Sequence, residues 1–350
     1  MKYKWLGVAT LLLSLTMTGC VQGEAEGQTI EKAPAQEEKP QQKEITVDDE
    51  ATETTATFPL TGLPAEGDLN RRAVAVMVNN HSYARPQTGL LEADIVYEVL
   101  AEGDITRLVA IYHSQQPAKV GPVRSAREYY VDLANGHDAL YLYHGAATFI
   151  ENQMSGWINN LNGSYYDNDG KLFTRDQSRK APHNSYLLFD SVLDVAQNKG
   201  YTVDTAPTSL PFSEEGVQGE RASTVEIVYA ETPEERVTYQ YNEAEGHYIR
   251  FNDGEPTVDR ETTEPVTLDN VFIVATAHKV IDNKGRRAVD LTSGGSGYLL
   301  QQGSIQAVEW KNNDGRLLPY KDGKPVGFIP GQTWVNIVPE RNFPQSITME

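Results

Sequence analysis

The 350-residue chain carries 49 acidic against 30 basic side chains, a formal charge of −19 at neutral pH, and a single cysteine. That balance argues against nucleic acid as a partner, since a polyphosphate would be repelled, and one thiol excludes an internal disulfide or a cysteine-rich metal site. The length suits two domains, each able to bury a core without covalent staples.

Lys2 and Lys4 precede an apolar run at residues 5–15 that is too short to stay in a bilayer as a span, so residues 1–19 read as an export signal. Leu15-Thr16-Met17-Thr18-Gly19-Cys20 places small residues directly before the only cysteine. This is the setting in which a lipoprotein signal peptidase cleaves once the thiol carries a diacylglyceryl group. Cys20 is therefore expected to become a lipidated first residue at the extracytoplasmic face of the cell membrane. Each acyl CH₂ buried there contributes about 0.8 kcal/mol. Loss of Lys2 and Lys4 takes the charge to −21, with 28 basic against 49 acidic side chains. Such a surface is repelled by anionic lipids and wall polymers unless its charge is locally redistributed.

Residues 21–57 hold ten acidic and three basic side chains and almost no large apolar residue. Residues 20–57 therefore read as a solvated, self-repelling tether. Order is expected from residue 58. Runs at 73–78, 95–100, 108–112 and 140–144 are rich in β-branched and aromatic residues and predict buried strands. Helices are expected over 129–135, 148–154 and 190–199. The first of these is introduced by the capping-box spacing Ser125-x-x-Glu128 and stopped at Gly136. A Pro, Ser and Glu-rich linker at 206–223 then separates residues 58–205 from residues 224–350. There the helical period gives way to short strands at 225–229, 236–241, 247–252, 271–276, 288–292, 297–302, 305–311 and 334–338, spaced by Asn, Asp and Gly turns. The chain is expected to be α+β: an N-terminal mixed α/β domain with a central sheet, followed by a β-rich C-terminal sandwich or barrel-like domain.

Residues 71–130 carry seven basic and six acidic side chains, a local excess of positive charge in an acidic protein. In Gly121-Pro122-Val123-Arg124-Ser125-Ala126-Arg127 two guanidiniums flank a predicted helix start, where backbone N–H groups already favour anions. Arg85, Arg107, His144, His183 and Asn184 are the side chains expected to complete a ligand pocket with Arg124, Ser125 and Arg127. Arginine–glutamate pairs also fix loops to sheets with no ligand involved, and both readings stand at this point.

Catalytic candidates are His144 and His183 as general acid or base and Glu98 and Glu102 as carboxylates. The two glutamates, placed on one extended strand, would lie roughly 13 Å apart, too far for paired work on a glycosidic bond. No Gly-x-Ser-x-Gly elbow occurs, and the seven histidines show no HxH or HxxxH spacing, so neither a serine hydrolase nor a metal or other cofactor is expected. Tyr298, Trp310, Tyr320, Phe328 and Trp334 suit a core or a sugar-stacking face, with strand alternation favouring core.

Taken together, Ala84-Arg85-Pro86-Gln87-Thr88-Gly89-Leu90, Ala93-Asp94-Ile95-Val96-Tyr97-Glu98, Glu102-Gly103-Asp104-Ile105-Thr106-Arg107, the Gly121 to Arg127 motif and Ala181-Pro182-His183-Asn184 closely resemble the YerB-type lipoproteins of Gram-positive spore-forming bacteria. Asp104 stands where that pattern more often has Gly. The resemblance runs from residue 58 to the C-terminus and implies two domains and a lipid anchor, but no reaction, since the family has no assigned function. A looser resemblance is to the LytR-CpsA-Psr phosphotransferases. The Asp their motif carries after its Arg is absent here, because Ser125 follows Arg124.

These observations lead to the expectation of a non-catalytic envelope lipoprotein that binds an anionic cell-wall polymer or a wall-remodelling protein. The alternative is an enzyme acting on phosphorylated or carboxylated wall precursors at the same cluster.

Overall fold

The computed structural model describes residues 56–230 and 235–350. The expected export signal, Cys20 and almost all of the tether lie outside these residues. Strand β1 (Val74–Asn79) is flanked by β3 (Thr106–Tyr112), antiparallel, and by Leu140–Tyr143, parallel. Strand β2 (Ile95–Leu100) pairs antiparallel with β3 on its other side. All six side chains of β1 are buried, and they divide by parity. Val74, Val76 and Val78 enter one hydrophobic cluster, and Ala75 and Met77 the other. A strand covered on both faces reads as an unbroken apolar run.

One face is covered by helices α1 (Glu128–Asn135) and α2 (Thr148–Trp157) through Tyr130, Val131, Ile150 and Met154. Helix α3 (Val192–Asn198) packs on the opposite cluster through Val192 and Ala196. The mixed α/β arrangement followed by a β-rich region is as expected, but the central sheet does not end with the N-terminal region. Beyond β2 it continues, in parallel, into Thr333–Pro339, with Ile95 opposite Thr333 and Glu98 opposite Asn336. Asn270–Thr276, Gly295–Gln301 and Ser304–Asn313 follow, giving a mixed sheet of twelve strands among the described residues. A second, six-stranded sheet containing Thr224–Val228, Arg236–Asn242 and His247–Asn252 adds Val225, Ile227, Val237, Tyr239 and Tyr248 to the first cluster.

Two local expectations are corrected. Helix α1 starts at Glu128 with Arg127 at its N-cap and no side-chain cap bond, because the Ser125 hydroxyl donates instead to the His144 carbonyl at 3.2 Å. Glu98 and Glu102 do not share a strand: β2 ends at Leu100, and Glu102 opens a 3-10 turn, Glu102–Asp104.

A candidate anion-binding site

The Gly121 to Arg127 motif is threaded between separated segments by its own backbone. The Asn79 amide donates to Pro122 O at 2.8 Å, Val123 N to Ser185 O at 2.7 Å, Arg124 N to Met77 O at 2.9 Å, and His144 N to Arg124 O at 2.9 Å. Each bond satisfies a main-chain group at the open end of a strand, and together they gather the end of β1, the segment after Leu140–Tyr143 and the loop at Asn184 around one arginine. The X–Pro bonds at Arg85-Pro86, Gly121-Pro122 and Ala181-Pro182 are all cis.

Two guanidiniums share one carboxylate here, and a third stands beside them. Arg107 Nη2 lies 3.1 Å and Arg127 Nη2 2.7 Å from Glu102 Oε2, and Arg127 Nε also bonds Glu102 Oε1. Arg107 Nη1 donates to Ser125 O at 3.1 Å. Arg124, half-buried beside them, has no ion pair among the described residues, and its Nε is buried without a hydrogen-bond partner. Burial, reinforced by the charges of Arg107 and Arg127, pulls its pKa down to about 10. It remains a cation at neutral pH, and an unfavourably placed one. Burial also opposes ionisation of Glu102, but the Arg127 hydrogen bond and the two neighbouring guanidiniums outweigh it and hold that carboxyl below its ordinary range.

The imidazoles are held by neighbours. His144 Nδ1 is 2.8 Å from Ser185 Oγ, and its Nε2 is 3.3 Å from Arg175 Nη2, a donor, so Nε2 accepts and Nδ1 carries the proton toward Ser185. The bare Cα of Gly163 makes room for this ring, since a Cβ there would lie 2.8 Å from His144 Nδ1. His183 Nδ1 lies 2.8 Å from the side-chain Nδ2 of Asn79 and accepts from it, and its ring packs against His81. Burial lowers the pKa of both, aided at His144 by Arg175 and at His183 by Arg124. Both are neutral at pH 7, so the positive charge of the site belongs to arginine. Asn184 Oδ1 accepts from Arg175 Nη1 at 2.9 Å and steadies the same guanidinium.

Arg85 and Glu98 sit apart from this centre. Arg85 Nη1 pairs with Asp253 at 2.6 Å, and its Nε donates to Asn80 O at 3.0 Å, tying the Ala84-Arg85-Pro86 loop to the second sheet. Glu98 is 0% exposed and belongs to the core. It bonds Arg250 Nη2 at 2.8 Å, the Trp334 indole N–H at 2.9 Å and the Thr106 hydroxyl at 2.8 Å.

Family models for a protein of unknown function, DUF3048, match this chain at residues 60–202 for the N-terminal domain and 225–335 for the C-terminal domain. A Bacillus subtilis (strain 168) protein named as a lipoprotein, YerB, is 46% identical over 286 residues, 81% of this chain and 86% of its own length. The chain belongs to the DUF3048 family. Its fold is shared by the crystal structure of the Bacillus subtilis YerB protein, with a TM-score of 0.78 at 44% identity, covering 84% of this chain and 99% of that one. The resemblance read from the Arg85, Arg124 and His183 motifs is thereby shown, and the family brings no assigned activity with it. Among the described residues no helix is long and apolar enough to cross a membrane.

Arg175, Arg179, Lys180 and the aromatic residues Tyr83 and His81 join the site without having been singled out in the sequence. The signal was present: Arg175-Asp176-Gln177-Ser178-Arg179-Lys180 puts three basic side chains in six positions, directly before Ala181-Pro182-His183-Asn184.

Proposed function

We propose that the chain is an extracytoplasmic lipoprotein, anchored through Cys20, whose body binds an anionic cell-wall polymer at Arg124 without turning it over. Arg124 is the observation that carries this reading. A half-buried guanidinium beside two others, with one carboxylate between the three, leaves about two positive charges uncompensated in a protein that is otherwise strongly acidic. A phosphate or carboxylate entering there gains charge-assisted hydrogen bonds and relieves the mutual repulsion. Arg107, Ser125 and Arg127 shape the wall of the site, and His144, His183 and Asn184 hold its far side. Arg85, paired with Asp253, lines the neighbouring cavity. Binding without chemistry fits the imidazoles, since both nitrogens of His144 are engaged and no carboxylate among the described residues bonds either ring.

The test is cosedimentation of the full-length lipoprotein, in detergent micelles, with purified peptidoglycan that retains or lacks its attached anionic polymers. Arg124→Ala is expected to weaken binding by roughly tenfold to a hundredfold, the worth of one hydrogen bond to a charged group, and salt should weaken the wild type in the same direction. A folded Arg124→Ala protein that sediments like the wild type refutes the reading.

A further inference from the structure

Next to His183 lies a cavity of about 620 Å³ whose lining includes four cationic side chains, Arg85, Arg179, Lys180 and Arg260, and no carboxylate. Arg85 and Arg260 are paired, with Asp253 and with Asp176 at 2.5 Å. Among the described residues Arg179 and Lys180 make no ion pair, and the Arg179 guanidinium donates to the main-chain oxygens of Tyr83 at 2.9 Å and Pro86 at 2.6 Å. At the mouth stands Tyr83, 76% exposed. Its ring stacks on His81 with centroids 5.1 Å apart at 28°, and His81 in turn meets His183 at 4.9 Å. The backbone of Tyr83 is held on both sides, its N–H donating to His81 Nδ1 at 3.2 Å and its carbonyl accepting from Arg179. The ring thus has one face against His81 while most of its surface meets water.

We infer that this cavity takes a saccharide carrying a phosphate or carboxylate, the anion lying among Arg179, Lys180 and Arg260 and the sugar ring resting on Tyr83; this builds on the anion-binding reading and names its ligand class. The electron-rich face of an exposed phenol ring suits the C–H face of a pyranose, and its hydroxyl can serve a sugar oxygen. The cationic wall rejects cationic ligands, and the volume suits one or two sugar residues. The anion and the ring are recognised by separate side chains, so their contributions separate experimentally.

Calorimetric titration of the full-length lipoprotein in a polyoxyethylene detergent, which carries no sugar, would use N-acetylglucosamine 1-phosphate, N-acetylmuramic acid, glycerol 1-phosphate, N-acetylglucosamine and uridine monophosphate. At least one of the two anionic sugars is expected to bind roughly tenfold more tightly than glycerol 1-phosphate, the worth of one aromatic contact. Tyr83→Ala should bring those affinities together, and Lys180→Gln should weaken every anion several-fold. Both side chains are exposed, so neither change should alter the circular dichroism. Glycerol phosphate binding as well as both anionic sugars, or a preference that survives Tyr83→Ala, overturns the saccharide inference and leaves the anion site standing. Tightest binding of uridine monophosphate overturns it in favour of a nucleotide. If no anion binds and Arg124→Ala is silent on wall polymer, both readings fall together.

Discussion

Replacing Arg250 by Ala should cost several kcal/mol of stability, because it removes the counter-charge of a fully buried carboxylate. Arg250 is 1% exposed and contacts Glu98 at 2.8 Å, donates to Thr257 Oγ1 at 2.6 Å, and places its guanidinium carbon over the Trp334 ring at 4.4 Å from its centroid. Without it, Glu98 keeps only the Trp334 indole and the neutral donors of Thr106 and Asn80. Stranding one member of a buried pair costs about 3–5 kcal/mol, and loss of the cation–π contact adds about 1–2 kcal/mol at a desolvated site. Against a total stability of about 5–15 kcal/mol, the variant should be near its unfolding threshold. The double variant Glu98→Gln with Arg250→Met removes both charges and keeps most of the volume, so it should recover most of the loss. The summed costs of Glu98→Gln and Arg250→Met made singly should therefore exceed that of the double by about 3 kcal/mol, within the range of coupled neighbours. Urea unfolding followed by tryptophan fluorescence reads this directly, since Trp334 bonds the same carboxylate. A cost below about 1 kcal/mol for Arg250→Ala, or two single effects that simply add, would refute the electrostatic account.

The same pair joins residues from either side of residues 206–223, as do β2 and Thr333–Pro339. Residues 58–205 expressed alone should therefore be insoluble or molten, and a well-dispersed NMR spectrum from that fragment would contradict this. Gly136 and Gly315 meet back to back, a Cβ on Gly136 falling 2.3 Å from Gly315 O. Gly136→Ala should destabilise by about 1–3 kcal/mol through overpacking, and an unchanged thermal midpoint would show that the contact yields freely. Burial raises the carboxyl pKa of Glu235 to about 7 and of Asp94 to about 6. Both hold a proton in the folded state that the unfolded chain releases near its ordinary pKa, so their contribution is complete below about pH 4 and is lost as pH rises through 6 and 7. Urea midpoints should reveal that loss, and Glu235→Gln should reduce the slope near pH 7; identical slopes would remove Glu235 as its source. Arg124→Leu should leave the fold intact and raise stability by about 1 kcal/mol while weakening ligand binding as much as Arg124→Ala does, as expected when a charge is kept for function. A destabilised Arg124→Leu would mean that the guanidinium holds the fold together.

The strands of the central sheet are legible in the sequence because burial on both faces removes polar alternation, and unbroken runs such as Ile95–Leu100 have one economical reading. Short strands are not legible. Asn160–Asn162 is three residues long with two asparagines, and only its parallel pairing with Leu140–Tyr143 makes it a strand. The partner of β2 is equally invisible, because nothing local in 95–100 names a strand near residue 335. Ser125-x-x-Glu128 failed as a capping box for the related reason that a tertiary acceptor, the His144 carbonyl, outcompeted the local one.

The candidate site divides along the same line. Its motifs could be read because they are dense in arginine, proline and glycine, residues that ordinary helices and strands rarely require together. Which of those arginines stays free for a ligand could not be read, since that depends on which carboxylates fold onto them. Glu102 reaches Arg107 and Arg127 from a turn, Asp253 reaches Arg85 from a strand end more than 160 residues away, and none reaches Arg124 among the described residues. The absence of a partner is a property of the assembled fold, and it is also what makes the arginine useful. A guanidinium already satisfied by its own protein has little to offer an incoming anion, whereas one held half-buried beside like charges gains from any anion that reaches it. Cations to which the fold gives no ion-pair partner are therefore the ones on which binding is expected to depend.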